Sequence, residues 1–203
     1  MLDLRSKLAT PWVFRLFKDV IGAKAAIATF VADHVRPAPG ERILDLGCGL
    51  GDILEHLPAH GIEYVGIDVS EEYVAWARSR YGARATFHRM DLSEDSPEGL
   101  SGFDLVLAVG VLHHLSDAEA ARLIHLARTA LTPDGRLVTF DGCYTREQSR
   151  FSRLIVSRDR GRYVRTAAHY QALAEEGFRR VDVRIRHDLL RIPYAHIIME
   201  CSA

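Results

Sequence analysis

The chain has 203 residues, 48% of them hydrophobic and 26% charged, a make-up that excludes a disordered or fibrous protein and fits one soluble globular domain. The formal net charge of −1 excludes a general nucleic-acid binder, which needs a strongly basic surface. Cys48, Cys143 and Cys201 form neither an even set nor a C-x-x-C pair, so no disulfide framework or metal site is expected, and a reducing cytoplasm fits. There is no stretch of 18 apolar residues and no signal-peptide pattern, so neither membrane spanning nor secretion is expected.

Up to Arg36 the chain reads as helix, with Trp12, Leu16 and Val20 and then Ala26, Ile27, Phe30 and Val31 at helical spacing. Pro37, Pro39 and Gly40 end it. From Arg42 onward, short apolar runs alternate with amphipathic helical patterns, as in strand-helix-strand units around a parallel sheet. Five such runs are Ile43–Leu46, Tyr64–Ile67, Ala85–Phe87, Leu105–Val109 and Leu137–Phe140. Ser70 caps a helix that has Glu71 and Glu72 in its first turn. Ser116 and Glu119 form a capping box before Ala120, Leu123, Ile124 and Ala127, and Thr132-Pro133-Asp134-Gly135 turns the chain into the next strand. Val181–Arg186 and Tyr194–Glu200 alternate in the manner of an antiparallel hairpin at a sheet edge. The expectation is one α/β domain: a doubly wound, mostly parallel seven-stranded sheet closed by that hairpin.

The most specific segment is Asp45-Leu46-Gly47-Cys48-Gly49-Leu50-Gly51, where a strand meets a glycine turn that opens a helix at Asp52. A dinucleotide loop would read G-x-G-x-x-G. Here the third glycine comes one residue early, and Asp45 suits an ammonium group better than a phosphate. The segment resembles motif I of the class I S-adenosylmethionine-dependent methyltransferases, and the resemblance runs from Arg42 to about Phe140. It implies a Rossmann-like methyltransferase fold and S-adenosyl-L-methionine as cofactor, with S-adenosyl-L-homocysteine as product. Gly47, Gly49 and Gly51 match the family's shape-setting glycines, with Cys48 a small filler in the loop, and Asp45 matches its acidic position. Asp68, followed by Val69, matches the acid that binds the ribose hydroxyls. Met90-Asp91-Leu92 matches the segment flanking the adenine, with Asp91 the acceptor from its amine. Val109 stands where the fourth strand reaches the cofactor. Asp104 reads as a strand-start residue only.

Two imidazoles, His113 and His114, follow that fourth strand, at the end where parallel strands face a ligand crevice, and are the candidate catalytic residues. Ala108-Val109-Gly110-Val111 occupies the place of the family's Asn/Asp-Pro-Pro-Tyr signature, which disfavours methylation of nucleobase or amide nitrogen. Charge is unevenly distributed: residues 1–140 carry 14 basic against 19 acidic side chains, whereas 141–203 carry 12 against 8. Seven arginines fall between 141 and 165. Two readings stand for them, a solvated helix face at Arg146, Arg150 and Arg153, or a grip on an anionic acceptor. On the second reading Tyr144, Arg158, Arg160 and Arg165 contact the substrate.

The resulting expectation is a single methyltransferase domain: an N-terminal helical segment (1–36), a cofactor-binding core (37–140), a substrate-side insertion (141–170) and a C-terminal helix and hairpin (171–203). It would methylate a small, in one reading anionic, metabolite as a monomer or homodimer in the cytoplasm, without nucleic acid or membrane as partner. The alternatives are a protein or RNA methyltransferase recruited by a partner, and a cofactor-binding subunit without catalysis.

Overall fold

The computed structural model describes residues 22–92, 99–157 and 161–203. Trp12, Leu16 and Val20 lie outside these residues, as do Arg158 and Arg160. The described part of the N-terminal segment is helix α1 (Ala23–Phe30), prolonged by a π turn at Val31–Val35. Helical spacing brings Ala26, Phe30 and Val31 into the core.

The strands are β1 (Arg42–Leu46), β2 (Glu63–Asp68), β3 (Thr86–Arg89), β4 (Phe103–Val109), β5 (Leu131–Tyr144), β6 (Arg165–Thr166), β7 (Arg180–Arg186) and β8 (His196–Ser202). The main sheet runs in the order 3-2-1-4-5-8-7. Its first five strands are parallel, and β8 is antiparallel to both β5 and β7. The two-residue β6 pairs with β5 at Cys143 and Tyr144. Edge strand β7 keeps the alternation seen in its sequence, while β8, between two neighbours, is buried along most of its length.

Helices α2 (Glu71–Tyr81), α3 (Asp117–Ala130), α4 (Arg150–Ser157) and α5 (Ala167–Glu175) complete the described residues. Ser70 accepts the Tyr73 amide at the start of α2, and Ser116 and Glu119 cap α3 reciprocally. Alternation along the strands splits the core in two. Leu44, Val106, Leu137 and Met199 pack on α3 and α5 through Leu123, Ala127, Tyr170 and Leu173. Ile43, Leu105, Val138 and Ile198 pack on the other face against Phe30, Val74 and Ala77. With each fully buried leucine or isoleucine contributing about 1.5–3 kcal/mol, the doubly covered sheet needs no staple, and the three cysteines are free and buried.

The helix expected at Asp52 is a single 3-10 turn, Asp52–Glu55, entered through left-handed Gly51 and followed closely by Pro58, which cannot continue a helix. Thr132–Gly135 does not precede the fifth strand but interrupts it. The register jumps from Phe103 opposite Leu131 to Leu105 opposite Arg136, so the turn residues bulge from a strand that starts earlier. On α4 the inward residues are Ser152 and Val156, while Phe151 and Leu154 are 63% and 45% exposed. Arg146, Arg150 and Arg153 are all exposed, and the Arg153 guanidinium lies 4.9 Å over the Tyr144 ring. Among the described residues no helix is long and apolar enough to cross a membrane, and no cluster of three metal-ligating side chains occurs.

Candidate active site

The parallel strands β1, β2 and β4 bring three loops together at their carboxyl ends. The first is the glycine loop. Its Gly47 and Cys48 amides donate to the Ile67 carbonyl at 2.7 and 2.9 Å, which ties it to the tip of β2. Gly47 is left-handed at φ 78°, and a Cβ there would stand 2.4 Å from Val111 Cγ2, so only glycine lets this loop close on the one after β4. At Gly49, φ 55°, a Cβ would meet nothing within 4 Å, and the loop is open on that side.

Asp68 ends β2 and organises what surrounds it. Its Oδ2 accepts the Gly49 amide at 2.8 Å and its Oδ1 accepts the Ser70 amide at 2.9 Å. Each carboxylate oxygen keeps a second lone pair that can take a ribose hydroxyl. Val69, next to it, is 54% exposed, a bare apolar side chain at the loop rim. The Asp68 carbonyl accepts from the Met90 amide at 3.0 Å, bringing Met90, Asp91 and Leu92 alongside. All three are half-buried, and the charge of Asp91 is felt at Glu119 of the α3 cap. Asp104 accepts the Arg42 amide at 2.9 Å and ties β4 to β1, away from the site.

Asp45 lies beneath the glycine loop and is 2% exposed. Its Oδ2 accepts the Tyr64 hydroxyl at 2.5 Å, while its buried Oδ1 has no hydrogen-bond donor among the described residues. Burial, which outweighs the Tyr64 hydrogen bond, pushes the Asp45 carboxyl up to about 7, and the nearby Asp68 charge pushes the same way. Cys48 packs beside it, its thiol pushed well up by burial and then by the charges of Asp45 and Asp68, so it is inert filler and not a nucleophile. A buried carboxyl oxygen lacking a donor, a ribose-sized acceptor at Asp68 and an open, left-handed Gly49 fit the ammonium, sugar and backbone-hugging chain of S-adenosylmethionine. Asp68→Ala removes a charge-assisted acceptor and releases two loop amides. Cofactor affinity is expected to fall about 10- to 100-fold, or 1.5–3 kcal/mol, in a calorimetric titration, with Asp68→Asn intermediate.

The third loop, after Val109, holds the two histidines in the 3-10 turn Leu112–His114. The Gly110 amide donates to the Phe140 carbonyl at 2.7 Å, so this loop and the end of β5 are joined. There Asp141, 1% exposed, accepts twice on Oδ1, from the His113 backbone amide at 3.2 Å and from its ring Nδ1 at 2.7 Å. Burial raises the Asp141 carboxyl and His113 opposes that rise. A carboxylate accepting at Nδ1 keeps the proton there and makes Nε2 the basic nitrogen. His113 is itself buried, whereas His114 is exposed with its ring 4.2 Å from that of His113.

Sequence reading missed Asp141 as a partner of His113. The signal was an acid at the carboxyl end of a parallel strand, the same position Asp68 holds on β2. Arg165 is also placed differently from a substrate contact. It is 5% exposed, and its guanidinium donates to the carbonyls of Leu112, Tyr163 and Leu115 and to Asp117. Tyr144 is half-buried under Arg153.

A doubly wound sheet of order 3-2-1-4-5-8-7 with a glycine loop after β1 and an acid at the tip of β2 defines the class I methyltransferase architecture. Residues 43–135 match the methyltransferase domain family model. An uncharacterized methyltransferase of Synechocystis sp. is 28% identical over 135 residues, covering 64% of this chain and 63% of that protein. A ubiquinone biosynthesis O-methyltransferase of Azorhizobium caulinodans is 32% identical over 110 residues, covering 53% and 42%. The match thus spans 63% and 42% of the length of these two relatives. Human N-acetylserotonin methyltransferase, solved in complex with S-adenosylmethionine, shares the fold at a TM-score of 0.66 and 20% identity, covering 95% of this chain and 55% of that one. Over residues 43–135 the chain matches a methyltransferase domain, and the residues of the site fit S-adenosyl-L-methionine as cofactor.

Proposed function

We propose that this protein methylates an oxygen on a small organic acceptor and that His113 takes the acceptor's proton at Nε2. The observation that carries this reading is the Asp141–His113 pair, set on the loop that closes against Gly47 of the cofactor loop. Similarity to O-methyltransferases supports it. The cofactor supplies a methyl group already activated on a sulfonium sulfur. What remains for the protein is alignment, which can contribute about 7–11 kcal/mol, and removal of the hydroxyl proton. Asp45, Asp68 and the glycine loop hold the methyl donor, His113 accepts the proton, and Asp141 steadies the imidazolium that results. The exposed Arg146, Arg150 and Arg153 keep the neighbouring surface basic and favour anionic acceptors.

Methyl-labelled S-adenosylmethionine incubated with the protein and a metabolite extract, in parallel with tRNA and with total protein, tests this. Label is expected in the small-molecule fraction and in base-labile or ether-type products. Label in precipitable RNA or protein instead would replace the reading with a macromolecular acceptor, and cofactor binding with no transfer in any arm would leave a non-catalytic subunit.

A further inference from the structure

We propose that Arg165 and Gly161 are positioning residues that hold the His113 imidazole through the 161–165 segment. The inference rests on His113 as the proton acceptor and extends it to groups that never touch substrate. Two contacts from this segment converge on His113, and a third brackets the turn that carries it. Gly161 lies against the ring, where a Cβ would stand 2.2 Å from His113 Cδ2 and 2.7 Å from its carbonyl oxygen. The Tyr163 amide donates to the His113 carbonyl at 2.9 Å. The Arg165 guanidinium then brackets the turn, with Nη1 donating to the Leu112 carbonyl at 2.8 Å and Nη2 to the Leu115 carbonyl at 2.6 Å.

Asp117, at the start of α3, anchors the same guanidinium through Nε at 2.8 Å, and the Tyr170 ring lies 5.6 Å from it. Pairing of β6 with Cys143 and Tyr144 fixes the segment two residues beyond Asp141. The imidazole is therefore clamped between Asp141 of β5 on its Nδ1 edge and Gly161 on its Cδ2 edge. A buried arginine is costly, and a hydrophobic side chain of similar volume commonly serves stability as well or better. The rigid fork, spanning two carbonyls three residues apart, provides geometry that such a replacement lacks.

Uniformly 15N-histidine-labelled protein, saturated with S-adenosylhomocysteine, allows the ring nitrogens of His113 to be read by long-range 1H–15N correlation without any acceptor. In the wild type the His113 signals are expected to show a single tautomer with the proton on Nδ1. Arg165→Met and Gly161→Ala are expected to bind S-adenosylhomocysteine within about twofold of wild type, yet to shift those nitrogens toward averaged tautomer values. Once an acceptor is known, kcat in both variants is expected to fall at least tenfold with KM for the cofactor unchanged. Wild-type ring resonances in a folded Arg165→Met protein would overturn the role of Arg165. Should that variant not fold, unshifted resonances in Gly161→Ala overturn the clamp. Failure of the base reading shows elsewhere, in undiminished turnover by His113→Asn, so the two outcomes separate.

Discussion

His113→Asn is expected to lower kcat for methyl transfer by about 10²- to 10⁴-fold, the range that a positioned general base contributes. Asparagine occupies most of the space of the imidazole and its amide can still donate toward Asp141, so the turn at Leu112–His114 and its closure on the glycine loop are retained. Affinity for S-adenosylhomocysteine should accordingly change by less than about twofold, because neither Asp45 nor Asp68 is touched. Asp141→Asn gives a related loss by a different route. The amide oxygen can keep both His113 contacts that meet on Oδ1, but it carries no charge with which to steady the imidazolium that proton transfer creates. His114→Asn is the control, since its ring is exposed to solvent whereas that of His113 is buried against Asp141. Steady-state kinetics of the three variants with one acceptor decide the matter, and equal losses at His113 and His114 would count against the assignment.

Cofactor affinity is expected to weaken as pH falls below about 7 and to level off above it. The Asp45 carboxyl is pushed up to about 7 by burial, so below that value it holds its proton in the free protein. An ammonium group placed against Oδ1 favours the carboxylate, and binding must then expel that proton. Each pH unit below about 7 therefore costs roughly 1.4 kcal/mol, a tenfold rise in Kd. Calorimetry at pH 6 in two buffers of different ionisation enthalpy should register about one proton released per cofactor bound, falling toward zero by pH 8. Asp45→Asn should remove the slope altogether and weaken binding at pH 8. For the free protein the sign is opposite to that of an ion-paired acid. The folded carboxyl binds its proton more tightly than the unfolded one, with its ordinary value of 3.8, so this group's contribution to stability falls as pH rises from about 4 to about 7. A Tm gain from S-adenosylhomocysteine that grows between pH 5.5 and pH 8 would report the first effect, and the ligand-free Asp45→Asn protein compared with wild type over the same range would report the second.

Much of the local geometry of the candidate cofactor site was legible in the sequence because its parts are near one another in the chain. The glycine loop, Asp68 and the two caps are each specified by residues within a few positions of one another, and the alternating apolar runs foretold the doubly covered sheet and its antiparallel close. Pairings across the chain were not legible. Asp141 meets His113 over 28 residues and Arg165 meets Leu115 over 50, and no spacing rule links such positions. Seven arginines in one segment looked alike, yet burial separates Arg165, which holds a turn, from Arg146, Arg150 and Arg153, which face solvent. Thr132–Gly135 are turn residues by type, and only pairing with β4 on both sides of them shows that the strand continues through.

Strand β8 lies between β5 and β7, although it is made after both. During synthesis β5 can pair with β4 on one side, but its other edge, from Arg136 to Gly142, has no partner until His196–Ser202 emerges. At about 5–20 residues per second the ribosome takes several seconds to cover that interval. For that time an apolar stretch containing Leu137, Val138 and Phe140 offers unpaired backbone groups to any neighbouring chain. The sheet thereby closes only when β8 arrives, and it is the nascent polypeptide, more than the finished fold, that presents this edge.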